Sequence, residues 1–597
     1  MKSELVSNIL PRMARDTHTD RPTGLSLSSL PAFGDWLASP GLLASLVILA
    51  NVLKPVVVDD TAYLAFGRHI ATHPFDPYGF QFFWYDVPQP AMEILAPPVL
   101  PYWLGMGIRL FGEQVALLKL WMFPFVWLLA WAMRQLLYQF APGTESRLLP
   151  ILVLSAAVGP TVNLMLDIPA LALGLAAVVL FLRALAHHST MGAVLAGLVA
   201  AVAMQTKYTM LLLPPVMAWL GWTQRRRGLS LMSVIMAIGG FSLWEGLLLY
   251  GYGQSHFLVH VRSQSGGNGF VARLQEKAEL APPLVGHLGC LGVGLGLVAG
   301  AALGLRGRGL LALAIVWSVG VVGILILPYR WTVLIPRLQP AGTDTTAVMI
   351  FWQTFGTAIL LGIGCCAAGL IARWKAGWPT LRRNPDAWFL AGWLGIELLG
   401  YFVLTPFGAA RRVIGVTMVS ALLAARLLSR VERLRPPRRL PIWVVGFSIA
   451  TGALVTLLDL WDAFPEKVCA QRAAALASDS SAGATVWYVG HWGFQYYCER
   501  AGLQPLVPGE SVLRPGDLLV LPRFPDAHAL YRPHVAWGLD PPDAHLADPL
   551  GEVIWDDWLS GQTIPNFYGG IDPIVGRDYP RLRVVVYRFK RDWAVPR

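Results

Sequence analysis

The sequence predicts an α-helical polytopic membrane protein of about 13 transmembrane helices, followed by a small C-terminal soluble α/β domain. Three observations predict it. The 597-residue chain is 55% hydrophobic and only 14% charged, with a mean hydropathy of +0.52, whereas soluble chains carry about 25% charged residues. Apolar runs long enough to cross a bilayer recur from residue 40 to residue 460. From about residue 462 these runs stop, and short strand-like segments take their place.

The spans are expected at 40–58, 114–138, 147–165, 167–186, 192–207, 209–222, 230–250, 283–305, 309–328, 346–372, 387–404, 412–429 and 440–460. The first long apolar run begins only near residue 40, so no cleavable signal peptide is expected and the first span serves as its own insertion signal. The net charge of +11 comes largely from short clusters between spans: "QRRR" (224–227), "RGR" (306–308), "RWKAGWPTLRR" (373–383) and "RVERLRPPRR" (430–439). Basic loops between apolar runs fit the positive-inside rule and point away from nucleic acid as a partner. The segment "APPVLPYWLGMGIRLFG" (96–112) is short, holds three prolines and carries Arg109. Reading it as a juxtamembrane helix in the outer interface leaves the basic tail 1–39 inside and the first loop, 59–113, outside. The aromatic stretch "FQFFWY" (80–85) suits that depth.

With an odd number of spans, the domain 462–597 also lies outside. Its strands are read in "TVWYVG", "DLLVLPRF" and "LRVVVYRF", with helices near 464–478 and 493–502. Two of the five cysteines, Cys469 and Cys498, fall in it, and an oxidising compartment would permit a disulfide; two unpaired thiols are the other reading. Cys290, Cys365 and Cys366 fall in spans, where packing explains them. The stretch "SQSGGNGF" (263–270) reads as a flexible outer loop, and there is no internal repeat.

This topology gathers polar residues on the outer face. Asp59 and Asp60 follow the first span. Asp167 lies between the third and fourth, and Lys207 between the fifth and sixth. His256, His260 and Arg262 belong to the loop 251–282, Arg330 and Arg337 to the loop 329–345, and Arg411 and Arg412 to "TPFGAARRV". Glu245 and Glu397 are within spans, about two turns from the outer ends; a carboxylate at mid-membrane costs about 2.5–3.5 kcal/mol on insertion scales, which makes it a functional candidate. Each has a plain structural reading too. Asp60 can cap the helix "TAYLAFGRHI", Asp167 can start the helix "DIPALALG", Lys207 can snorkel, and His256 can be an ordinary interfacial histidine. The Arg411–Arg412 doublet is the least ordinary, because outer loops disfavour arginine.

Taken together, a carboxylate could deprotonate an acceptor hydroxyl, typically worth about 10²–10⁴ in rate. The cations could hold the phosphate of a leaving group as it gains charge. A lipid-borne phosphate sits at this depth. The expected chemistry is therefore group transfer from a lipid phosphate, with membrane lipids as surroundings and a multi-pass transporter or lipid-linked-sugar flippase as the alternative.

The ordered set "DDTAYLAFGRHI", "APPVLPYW", "LMLDIPALALGLAAVVLFLRAL", "AVAMQTKYTMLLLPP" and "TPFGAARRVIG" resembles GT-C-type glycosyltransferases over about residues 40–430. It is similar to the branch with protein O-mannosyltransferases and the lipid A aminoarabinose transferase. The resemblance implies a 40–461 GT-C-like catalytic domain in the cell (inner) membrane, with a polyprenyl-phosphate sugar as donor and an unidentified hydroxyl as acceptor. It implies Asp59 as catalytic base with Asp60 in the second acidic position, Asp167 as the second outer-loop acid, and Lys207 and Arg411 as donor contacts. It implies an inverting hexosyl- or pentosyltransferase. The aminoarabinose transferase has Thr-Arg-Tyr where this chain has Thr61, Ala62 and Tyr63, and Glu-Lys where it has Leu95 and Ala96; Glu93 is a candidate substitute for that glutamate. Glu93, Glu245, His256, Glu397 and Arg412 complete the substrate-binding candidates, and a divalent metal stays open.

Overall fold

The computed structural model describes residues 38–264, 270–336, 344–371, 384–434, 439–480, 483–523, 539, 542–564, 566–578 and 580–596. Arg337, the stretch 265–269, the basic cluster 373–383 and nearly all of the N-terminal tail lie outside the described residues.

The chain is mostly helical. Among the described residues eight helices are long and apolar enough to cross a membrane, or nine if Arg273–Leu291 and Val293–Leu303, bent by 81°, form one span. The chain is thus a multi-pass membrane protein by length and composition, with fewer full-length spans than the 13 expected. The differences have local causes. Helix α1 (Pro40–Asn51) has 12 residues, opened by the Ser39 cap with Pro40 at its first position. Helix α2 (Asp60–Thr72) and helix α3 (Val99–Phe111) belong to the first loop. The expected span 147–165 is helical only over Glu145–Val153, which already contains Pro150. Past it, "GP" at 159–160 disfavours a return to helix. The irregular segment that follows is buried, and its carbonyls are satisfied from outside. Asn51 Nδ2 donates to Gly159 O (3.0 Å) and Lys54 Nζ to Pro160 O (3.1 Å).

Helix α4 (Asp167–His187), the short apolar α5 (Thr190–Met204), α6 (Leu213–Thr223) and α7 (Arg227–Tyr252) come next, with a 3-10 turn, Tyr208–Leu212, between α5 and α6. Helices α8 (Pro385–Leu404) and α9 (Ala410–Leu434) complete the set around the site. Helix α10 (Ile442–Ser480) runs for 39 residues through the expected boundary at 461–462, with Pro465 inside it. At 1.5 Å per residue it is about 58 Å long, roughly twice a bilayer core, and its second half packs with the C-terminal sheet.

That domain holds a five-stranded sheet, order β6-β5-β8-β10-β9, where β5 is Val486–Tyr488, β6 Gln504–Pro505, β8 Leu518–Arg523, β9 Ala547–Trp555 and β10 Leu582–Phe589. (Earlier in the chain β1, Gln81–Trp84, pairs with β2, Val87–Pro90, and β3, Val333–Ile335, with β4, Thr345–Thr346; β7, Val512–Leu513, pairs with β11, Trp593–Ala594.) Strand β5 is parallel to β6 and β8, and β10 is antiparallel to β8 and β9. Period-two alternation divides the sheet. Leu518, Val520, Val584 and Val586 join the core shared with the membrane bundle, while Leu519, Leu521, Val585 and Tyr587 build a second, smaller core. Helix α11 (Trp492–Arg500) follows β5. Cys469 and Cys498 are both buried free thiols.

Buried polar contacts gather around α10 and tie the C-terminal domain to the bundle. Lys54, just past α1, pairs with Asp459 of α10. It also donates to the Tyr568 hydroxyl (2.9 Å), which Asn163 Nδ2 reaches as well (2.9 Å). Arg581 at the start of β10 pairs with Asp462.

Candidate active site

Asp59 stands at the N-cap position of α2, yet its side chain makes no capping bond. It accepts instead from Arg411 Nη1 at 2.7 Å. Asp167, the first residue of α4, accepts from Lys207 Nζ at 2.5 Å and has Arg411 Nη1 4.0 Å from its other oxygen. Three carboxylate- or cation-bearing helix ends thus meet: α2, α4 and α9, joined by Lys207 from the bend between α5 and the 3-10 turn. Burial draws the Lys207 ammonium below its ordinary value, opposed by Asp167.

Arg412 is different. Among the described residues no carboxylate lies within 4.0 Å of it, and its Nε has no hydrogen-bond partner. Its guanidinium stacks on the Phe407 ring at 4.2 Å. Asp59 and Asp167 are thus engaged by Arg411 and Lys207, and Arg412 is the cation of this cluster that has no carboxylate within 4.0 Å among the described residues.

Asp167, Lys207, Arg411 and Arg412 line a cavity of about 70 Å³ between α4, the 3-10 turn, α6, α8 and α9, and Leu171, Leu175, Met210, Leu213 and Ile414 supply much of its apolar lining. Glu397 lines it deeper in α8, where Trp393 Nε1 donates to it at 3.0 Å. A cavity polar at one end and apolar beyond suits an amphiphile with an anionic head.

The structure brings Asp59, Asp167, Lys207, Glu397, Arg411 and Arg412 together and places the other sequence candidates elsewhere. Asp60 is fully buried and turned toward Lys54 and Lys119; burial pushes its carboxyl up to about 6, against the pull of those two ammonium groups. Glu245 accepts from Ser255 Oγ (2.6 Å), Phe257 N (3.1 Å) and Gln205 Nε2 (3.0 Å), which fastens the end of α7 to the next helix. His256 Nε2 donates to Ile94 O at 3.1 Å, so its Nδ1 is left to accept from the Tyr208 hydroxyl at 2.5 Å. Burial lowers His256 to about 3 and neighbouring His260 to about 4. Glu93 is exposed on a 3-10 turn. Among the described residues no three His, Cys, Asp or Glu side chains are grouped to hold a metal ion. Sequence reasoning missed Lys54, Lys119 and Asp459; the available signal was charge inside or beside an apolar run.

No family model matches the chain, and no curated protein matches it. Solved structures do. The oligosaccharyltransferase AglB from Archaeoglobus fulgidus, in complex with an inhibitory peptide and a dolichol-phosphate, is 13% identical over 80% of this chain, with a TM-score of 0.44. The match spans 65% of that protein, somewhat under two thirds of its length. ArnT from Cupriavidus metallidurans, bound to undecaprenyl phosphate, is 14% identical over 93% of this chain and 98% of its own, with a TM-score of 0.38. Both neighbours are GT-C glycosyltransferases, the architecture that the sequence motifs resemble. The functional reading rests on the chain's own cavity.

Proposed function

We propose that the chain is an integral-membrane glycosyltransferase that moves a sugar from a polyprenyl-phosphate donor to an acceptor hydroxyl on the outer face of the cell membrane. One observation carries this reading: a cavity within the helix bundle whose apolar length ends at an arginine with no carboxylate partner, beside an Asp–Arg pair. The donor phosphate takes the Arg412 end, and the isoprenoid runs along Leu171, Leu175, Met210, Leu213 and Ile414. Asp59 removes the proton from the acceptor hydroxyl as that oxygen bonds the anomeric carbon. The bond from that carbon to the phosphate oxygen breaks, and its electron pair leaves with the polyprenyl phosphate. Arg412, Arg411 and Lys207 offset the charge gained, while Asp167 holds Lys207 and Arg411 in place. A single displacement inverts the anomeric centre.

The test is sugar transfer by the full-length protein in bilayers, offered a panel of polyprenyl-phosphate sugars, with wild type beside Asp59→Asn. The expected outcome is polyprenyl phosphate release by wild type and at least a ~10²-fold slower release by the variant. Equal rates would remove Asp59 as the base. No release from any donor would remove the reaction class.

A further inference from the structure

Asp59 is held in place from outside the membrane bundle. Val58, the residue before it, has φ +46°, a left-handed backbone that a β-branched residue adopts only when its surroundings enforce it. The enforcing contacts flank it. The Val56 N–H donates to the Tyr497 hydroxyl at 2.9 Å, and the Thr61 hydroxyl donates to the Trp492 carbonyl at 2.7 Å. Both acceptors belong to α11 of the outer domain. Trp492 also has positive φ, +59°, which turns its carbonyl toward Thr61. Gly493 lies against the Val56 carbonyl so closely that a Cβ there would come within 2.3 Å of the oxygen. Only glycine lets the helix meet the turn without pushing it away.

The same helix is anchored to the first loop at two more points. Gln495 Nε2 donates to Phe83 O at 2.8 Å, and the ring of His491, just before α11, stands 4.2 Å from that of Trp84. So the strained turn is pinned on both sides by one rigid element, and that element is covalently part of the sheet domain. A turn free to relax at Val58 would swing the Asp59 side chain away from Arg411, and a displacement of about 1 Å at a reacting group can cost on the order of 10²-fold in rate.

We propose that α11 is a positioning element: Tyr497 and Trp492 hold Val56–Thr61 in a strained turn that sets Asp59 at the cavity mouth, which makes the outer domain part of the catalytic geometry. This rests on Asp59 being the base in the reading above. Tyr497→Phe removes the acceptor for Val56 N–H and leaves the bundle untouched. The expected result is a kcat lower by about tenfold with the donor KM unchanged, and amide exchange in 56–61 about tenfold faster with exchange in α4 and α9 unaltered. Adding Val58→Gly, which makes the positive φ unstrained, should return both readouts to within about twofold of wild type. A purely structural role for Tyr497 would not give that rescue. Thr61→Val, which cuts the other tie, replaces Tyr497→Phe if the latter fails to fold. An unchanged kcat, or a loss that Val58→Gly does not repair, overturns the proposal. If wild type transfers no sugar at all, the reaction reading falls, and the exchange experiment decides the clamp alone: unchanged exchange in Tyr497→Phe overturns it, and faster exchange repaired by Val58→Gly upholds it.

Discussion

Replacing Arg412 by Met should weaken phosphate binding without weakening the fold, and the two effects can be measured apart. The guanidinium has no carboxylate within 4.0 Å among the described residues and an unpartnered Nε, so its removal strands no opposite charge. What the fold loses is the stacking on Phe407, worth about 0.5–2 kcal/mol. What it gains is relief from holding an unpaired cation beside Arg411 in a low-dielectric site. The net change in stability should be within about 1 kcal/mol of zero. A bound phosphate, by contrast, loses a charge-assisted hydrogen bond of about 1.5–3 kcal/mol, or roughly 10- to 150-fold in Kd. Arg411→Met is the control. It unpairs Asp59, whose side chain is 23% exposed, and removes the more distant partner of Asp167, so it should lower stability clearly. The assay is calorimetric titration of a short-chain polyprenyl phosphate into detergent-solubilised protein, paired with thermal unfolding of the same samples. An Arg412→Met protein that binds phosphate like wild type, or that unfolds as readily as Arg411→Met, would refute the assignment of Arg412 as the free phosphate holder.

Two further outcomes are expected. Lys54→Met leaves Asp459 buried and unpaired and takes a donor from Pro160 O and Tyr568; it should cost about 3–5 kcal/mol, with most of the loss recovered in Lys54→Met/Asp459→Asn, as read by thermal unfolding. His256 and His260 titrate at about 3 and 4 in the fold against 6.5 outside it. Below pH 6.5 the unfolded chain therefore binds protons that the fold refuses, and stability should fall toward pH 4 by about 1.4 kcal/mol per pH unit for each imidazole. A Tm–pH series in which His256→Gln keeps the full wild-type slope would contradict this.

The sequence made the membership of the site legible to the extent that position along a span sets depth. Asp59, Asp167, Lys207 and Arg411 all stand at the ends of apolar runs on one face, and they do converge. Their partners were not legible. That Lys207 and Arg411 are occupied by Asp167 and Asp59, leaving Arg412 free, depends on contacts 40 and 352 residues apart in the chain. Glu245 read as a cavity acid because an acid in a span is costly. Its cost is met locally, by Ser255 and Phe257 just beyond the turn at Gly253, whose φ of +71° folds the chain back over α7. Asp60 read as a site residue because it adjoins Asp59, but successive positions at a helix start point in different directions, and Asp60 points inward to the lysines. The expected spans come out shorter where prolines fall within apolar sequence: Pro160 lies in the irregular stretch after Glu145–Val153, and Pro214 and Pro215 open a new helix after the 3-10 turn. The reverse holds at the boundary read near residue 462, where a span and a separate helix are expected and one continuous helix runs through.

That continuous helix bears on how the protein can be cut and recombined. Ile442–Ser480 has no linker where the membrane unit ends and the sheet unit begins, and the hydrogen bonds that the Tyr568 hydroxyl accepts from Lys54 and Asn163, and that the Thr563 hydroxyl donates to Asp459, cross the obvious seam at 461–462. A chimera joined there would leave Lys54, Asn163 and Asp459 without these partners. Exchange of C-terminal domains between related chains should therefore succeed only when Lys54, the whole of 442–480, helix 492–500 and the 556–581 segment travel as one inherited block. Substrate range would then be expected to change in large steps by replacement of that block, and seldom by drift of the sheet alone.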